Sequence, residues 1–209
     1  MIARDVMSLF SGLALAACSI VGVRSGTEEP RYDVVQTVGA LEIRAYRPRL
    51  AAETDAPGDE VGARSEGFRR IADFIFGANQ GKAKIAMTAP VATAPAEKIA
   101  MTAPVATART ASGWTVRFFM PAEYTEATLP RPTDTRVRIV TVPGETYAVY
   151  RYGGMIGPAE TAAARATLLR LIAQTEWKPA GEVVDWFYDP PWTIPPLRRN
   201  EAAVPVTKR

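Results

Sequence analysis

The chain has 209 residues, is 47% hydrophobic and 22% charged, and carries a formal net charge of +3 from 25 basic and 22 acidic side chains. That balance suits a globular domain with a real core, and it is too even for a nucleic-acid binder. Histidine is absent and Cys18 is the only cysteine, which excludes Ser-His-Asp and Cys-His catalytic sites, an ordinary His/Cys zinc site and an internal disulfide.

The first eighteen residues have the layout of an export signal. Arg4 lies in a short polar start, and Val6 to Ala17 is apolar apart from Ser8, Ser11 and Gly12. That run is too short for a bilayer-spanning helix and fits the h-region of a signal peptide. It ends Leu15-Ala16-Ala17-Cys18, which resembles the lipobox of bacterial lipoproteins. The resemblance implies that Cys18 is acylated and becomes the mature N-terminus. Ser19, and not Asp, follows it, which implies the outer membrane facing the periplasm in a host that has one. Residues 19–29 read as a tether to the lipid anchor.

Tyr32–Val38 and Leu41–Tyr46 read as a hairpin turned at Gly39-Ala40, and Leu50–Thr54 as a third strand before the turn Ala56-Pro57-Gly58-Asp59. Residues 60–76 read as a helix whose apolar stripe is Val61, Phe68, Ala72 and Ile75, with Ile71 beside it and Gly77 as the stop. An internal repeat follows: residues 84–94 recur in full as 98–108, each copy β-compatible with a central proline. Two strands paired through Pro95-Ala96-Glu97 are expected, with Met87 and Met101 in equivalent places. Trp114–Met120, Arg136–Val142 and Thr146–Tyr152 read as strands, the last two joined at Pro143-Gly144-Glu145. Pro121 to Asp134 reads as a loop. Pro158 opens a second helix running to about Trp177, with a stripe of Ala162, Ala166, Leu169 and Ala173 flanked by Leu168 and Ile172. Glu182–Tyr188 reads as the last strand, with Trp192 covering one end of the core.

Strands, helix and strands occur twice, and no linker separates the halves, so one α+β domain with pseudo-twofold symmetry is expected. In this reading the Arg44-Ala45-Tyr46 strand of the first half matches Arg151-Tyr152 of the second.

Five segments taken together resemble the SOUL haem-binding protein family. They are Glu42-Ile43-Arg44-Ala45-Tyr46, Gly67-Phe68, Gly77-Ala78-Asn79 with Lys84-Ile85-Ala86-Met87-Thr88-Ala89-Pro90-Val91, Phe187-Tyr188-Asp189-Pro190-Pro191-Trp192-Thr193, and Leu197-Arg198-Arg199-Asn200-Glu201. The resemblance spans residues 30–201 and leaves 202–209 as a tail. It implies a curved antiparallel sheet or distorted β-barrel flanked by two helices, similar to gyrase-inhibitor-like effector-binding domains. It also implies a shallow apolar pocket beside the first helix for haem or another tetrapyrrole. Without histidine, haem held here is not His-ligated. The ligand-binding residues expected are Arg64, Phe68, Ile71, Ala72, Ile75, Met87, Met101, Tyr46 and Tyr152, with Arg64, Arg69 and Arg70 as partners for propionates. A monomeric carrier or scavenger is the reading that follows. Two alternatives remain open at this point: a hydrolase of a hydrophobic small molecule using Glu42, Glu53, Glu123 and Tyr46, marked by a buried carboxylate facing a tyrosine in an apolar pocket, and an envelope protein with a vestigial pocket.

Overall fold

The computed structural model describes residues 28–80, 105–110, 113–190 and 192–209. The segment read as a signal peptide, Cys18, both copies of the repeat up to residue 104, and therefore Met87 and Met101, lie outside the described residues.

Strands β1 (Tyr32–Val38), β2 (Leu41–Tyr46) and β3 (Arg49–Ala56) come first, and helix α1 (Glu60–Ile75) follows. After it come β4 (Asn79–Gln80), β5 (Val105–Thr110), β6 (Gly113–Phe119), β7 (Arg131–Pro132), β8 (Arg138–Val142) and β9 (Thr146–Tyr152). Helix α2 (Pro158–Ile172), β10 (Trp177–Pro179), β11 (Val184–Phe187), a 3₁₀ turn at Pro195–Leu197 and β12 (Asn200–Lys208) complete the chain.

Ten strands form one antiparallel sheet in the order β1-β2-β9-β12-β11-β5-β6-β3-β8, with β10 beside β12. Strands β4 and β7 pair separately, β7 lying inside the segment read as loop. The end strands β1 and β8 do not pair with each other, so the sheet curls without closing into the barrel that the resemblance implied. Its curl is visible in the packing. Tyr46 of β2 and Val142 of β8, near opposite ends of the strand order, belong to one buried cluster with Phe119, Tyr147, Val149, Trp186 and Tyr188. The helices pack outside this curl: α1 against β3 and β6, α2 against β9 and β12.

The topology is twofold and swapped. Strand β3, α1, β5 and β6 are placed like β9, α2, β11 and β12, and the halves meet where β5 pairs with β11. The strand that precedes each unit crosses to the other half: β2 pairs with β9, and β8 pairs with β3. Strands β8 and β9 are therefore consecutive but not a hairpin, and the counterpart of β9 is β3 rather than the Arg44-Ala45-Tyr46 strand.

Both helices bury a stripe rotated from the expected one. In α1 the buried residues are Ala63, Gly67, Ile71, Phe74 and Ile75, whereas Val61 and Phe68 are exposed and Ala72 is half-buried. The cause is close approach. A Cβ on Gly67 would stand 2.4 Å from Cγ2 of Val116, so the helix lies against β6 through its small residues and turns Phe68 outward. In α2 the buried residues are Thr161, Ala164, Leu168 and Ile172, and Leu169 is exposed. This helix ends at Ile172, and Trp177, read as its last residue, starts β10. Asp59 caps α1 by accepting from the Gly62 amide at 2.8 Å, a contact of about 1 kcal/mol. Gly77, at a φ of 124°, takes the left-handed position that ends the helix.

Residues 202–208, read as a tail, are most of β12, a buried strand flanked by β9 and β11. Trp192 does not cover the core; it is 64% exposed.

Candidate functional sites on the two faces of the sheet

The sheet seam at β5 and β11 separates two polar clusters, one under the helices and one inside the curl.

On the helix side, Arg64 of α1, Arg165 of α2 and Asp185 of β11 converge. Arg165 donates to Asp185 through Nε at 3.1 Å and through Nη2, and its Nη2 reaches Glu60 at 3.1 Å. Arg64 donates to the Ile156 carbonyl at 2.9 Å and lies over the Phe187 ring, 5.0 Å from its centroid. Three buried polar atoms here have no hydrogen-bond partner: Arg64 Nη1, Thr107 Oγ1 and the Tyr152 hydroxyl. Burial lowers the Arg64 pKa and raises that of Tyr152. Burial also pushes Asp185 up, with Arg165 opposing it. Tyr152 thus stays a neutral phenol at ordinary pH. At the rim, Phe68 is 42% exposed while its ring meets Phe118 at 5.3 Å.

Of the residues expected to bind a ligand, this edge gathers Arg64, Phe68 and Tyr152. Ile71 and Ile75 are fully buried in the core beneath α1 and are not a pocket wall. Arg69 and Arg70 pair with Glu66 in ordinary helix-surface contacts. Tyr46 lies inside the curl, on the other face from Arg64.

Inside the curl, Glu201 is wholly buried and its acceptors are fully used. Arg44 donates to both of its oxygens, at 2.8 and 3.1 Å, Tyr188 donates its hydroxyl at 2.7 Å, and Arg199 donates Nε at 3.0 Å. Burial alone would push Glu201 up, but Arg44, Arg199 and Tyr188 more than offset it and hold its pKa below the usual carboxylate range. Removing one member of such a buried pair costs about 3–5 kcal/mol. Arg44 and Glu201 lie in two of the segments that carry the family resemblance, and their roles could not be read from either segment alone.

Next to this network is a cleft that includes Tyr46 but was not foreseen. It is lined by Glu29, Pro30, Tyr32, Tyr46, Arg49, Phe119, Trp186 and Tyr188. The cleft is filled by its own side chains and leaves no room for a free water molecule. The Arg49 guanidinium lies 4.1 Å from the Tyr46 ring centroid and 4.2 Å from that of Phe119. Each such contact contributes about 0.5–2 kcal/mol. Its buried Nε has no hydrogen-bond partner, and burial lowers its pKa. Tyr46 is pushed up to about 12, chiefly by burial.

A family model described as SOUL heme-binding protein matches residues 27–205. A search of curated protein sequences finds no match. Among solved structures, a hydrolase from Listeria innocua aligns with a TM-score of 0.57 at 12% identity, over 83% of this chain and 94% of its own. The EcmrR C-terminal domain aligns at 0.56 and 10% identity, over 85% and 99%. An uncharacterized conserved protein from Listeria innocua aligns at 0.53 and 13% identity, over 88% and 94%. At these identities the likeness shows the fold alone, a curved antiparallel sheet with two helices. The family model covers nearly all of the described residues, and the chain belongs to the SOUL haem-binding protein family.

Proposed function

We propose that this domain binds haem or a related planar tetrapyrrole as a carrier or scavenger, not as an enzyme, at the α1 edge around Arg64 and Phe68, and that it works from a membrane surface through lipid on Cys18. Family membership supports the ligand class. The observation that supports the place is an exposed aromatic ring beside a half-buried guanidinium whose Nη1 has no hydrogen-bond acceptor and only a loose ion pair to Glu60 at 3.8 Å, a pairing suited to a porphyrin face and a propionate.

Covering about 400 Å² of porphyrin gives on the order of 10 kcal/mol, from which association removes about 4 kcal/mol or more. A propionate on Arg64 adds about 1–3 kcal/mol. Micromolar affinity follows without a strong iron ligand. The chain has no imidazole, and Tyr152, held as a neutral phenol, is a poor axial ligand.

The test is titration of the full chain with hemin, followed at the Soret band. A saturable shift with Kd below about 100 μM is expected, weakened roughly fivefold or more by Arg64→Ala and by Phe68→Ala. No saturable shift in that range overturns the reading.

The hydrolase reading is favoured by one observation, the buried Glu201 facing Tyr188 beside an aromatic cleft. Against it, Glu201 is saturated by two guanidinium groups and a phenol and has a lowered pKa, which makes it a weak base with no lone pair aimed at a substrate.

A further inference from the structure

We propose that the inner face carries a second site, separate from the α1 edge, which takes a small planar aromatic carboxylate on Arg49. The walls of the cleft are the rings of Tyr32, Tyr46, Phe119, Trp186 and Tyr188, so an occupant's flat apolar body has aromatic surface on several sides. The charge of the occupant follows from what is already paired. Glu201 is neutralised by Arg44 and Arg199, and Glu29 by Arg199 at 3.0 Å. Arg49 has no carboxylate within ion-pair distance among the described residues, and its buried Nε has no acceptor. A cation entering here would meet a guanidinium with no free carboxylate to receive it, whereas a carboxylate would supply the acceptor that Arg49 lacks.

The cleft is closed by chain and not by core. Glu29 and Pro30 form one wall, and that segment is held by the Glu29–Arg199 pair and by Glu28, which accepts from the Ala122 amide at 2.9 Å. Because the cleft is too narrow for a water molecule, an occupant has to swing Glu29 aside. That movement breaks the Glu29–Arg199 pair, leaves Arg199 on Glu201, and opens the way for the incoming carboxylate to reach Arg49. The N-terminal segment therefore competes with the ligand.

The proposal does not rest on haem binding, and the two are tested apart. The full chain is titrated with 2-naphthoate and, in parallel, with 2-naphthylmethylammonium, followed by tryptophan fluorescence and calorimetry. Saturable naphthoate binding is expected, with the ammonium probe at least tenfold weaker. Arg49→Gln should weaken naphthoate binding about tenfold or more and leave hemin binding within about twofold, whereas Arg64→Ala should do the reverse. Glu29→Gln should tighten naphthoate binding severalfold. Naphthoate should not displace hemin. Equal or tighter binding of the ammonium probe by the unmodified protein overturns the proposal, as does no naphthoate binding up to millimolar concentration. Both of those results stand even if Arg49→Gln does not fold. An Arg49→Gln protein that melts cooperatively and binds naphthoate within twofold of the unmodified chain also overturns it.

Discussion

Gly67 sets how closely α1 lies on the sheet. Its missing side chain leaves room for Val116, and a methyl there would stand 2.4 Å from a Val116 methyl. Gly67→Ala should therefore destabilise the fold by about 1–3 kcal/mol in denaturant unfolding, and Val116→Ala in the same chain should recover part of the loss. Independent, additive effects of the two changes would contradict the contact. Glu201 governs the acid limb of stability. Its folded pKa lies below the ordinary value of 4.5, so its contribution is present above about pH 4.5 and is lost as the pH falls through the lowered value. The melting temperature should drop with pH below 4.5, and Glu201→Gln should be less stable at neutral pH yet show a flatter acid limb. The site residues divide by what each depends on. Arg64 and Phe68 could be named as candidates from one helix, because the outer edge of α1 is a local property. Arg49 was not, because its surroundings come from β2, β6 and β11 together.

Helix and strand positions were largely legible, and the buried faces were not. Hydrophobic spacing put Val61 and Phe68 of α1 and Leu169 of α2 on the inner side, where bulky residues usually point. The sheet instead receives Ala63 and Gly67, and Thr161 and Ala164, because close packing of a helix on a sheet selects small residues. Strands β1, β2 and β9 have the bounds expected to the residue, but β2 buries Arg44 and Tyr46 as well as Leu41 and Ile43. Strand β12 was missed because its run Ala202-Ala203-Val204-Pro205-Val206 follows the last recognisable motif and contains a proline. Pro205 nevertheless lies in register with Tyr147 inside the ladder. Truncation after Glu201 should consequently abolish cooperative unfolding by circular dichroism. A truncated chain that melts like the full one would show that the strand is dispensable.

At the level of the whole molecule, the two units exchange their leading strands, β2 to β9 and β8 to β3, so each half is completed by the other. That exchange brings Tyr46 and Val142 into one inner cluster and creates two sites of different character on the two faces. The lipid address proposed for Cys18 should be separable from binding. Cys18→Ala is expected to leave the membrane fraction for the soluble envelope fraction while keeping hemin affinity within about twofold. A variant that stays with the membrane, or loses hemin, would refute that division. Composition, local periodicity and short motifs were enough for the family, the α+β class, the twofold order of elements and the exclusion of histidine chemistry. The open sheet, the last residues as a core strand, the saturation of Glu201 and the setting of Arg49, half-buried among aromatic rings with no carboxylate beside it, came only with the fold. Those facts depend on which distant strands become neighbours, and the pairing of β2 with β9 and β8 with β3 is set by packing between segments about a hundred residues apart, which no local pattern records.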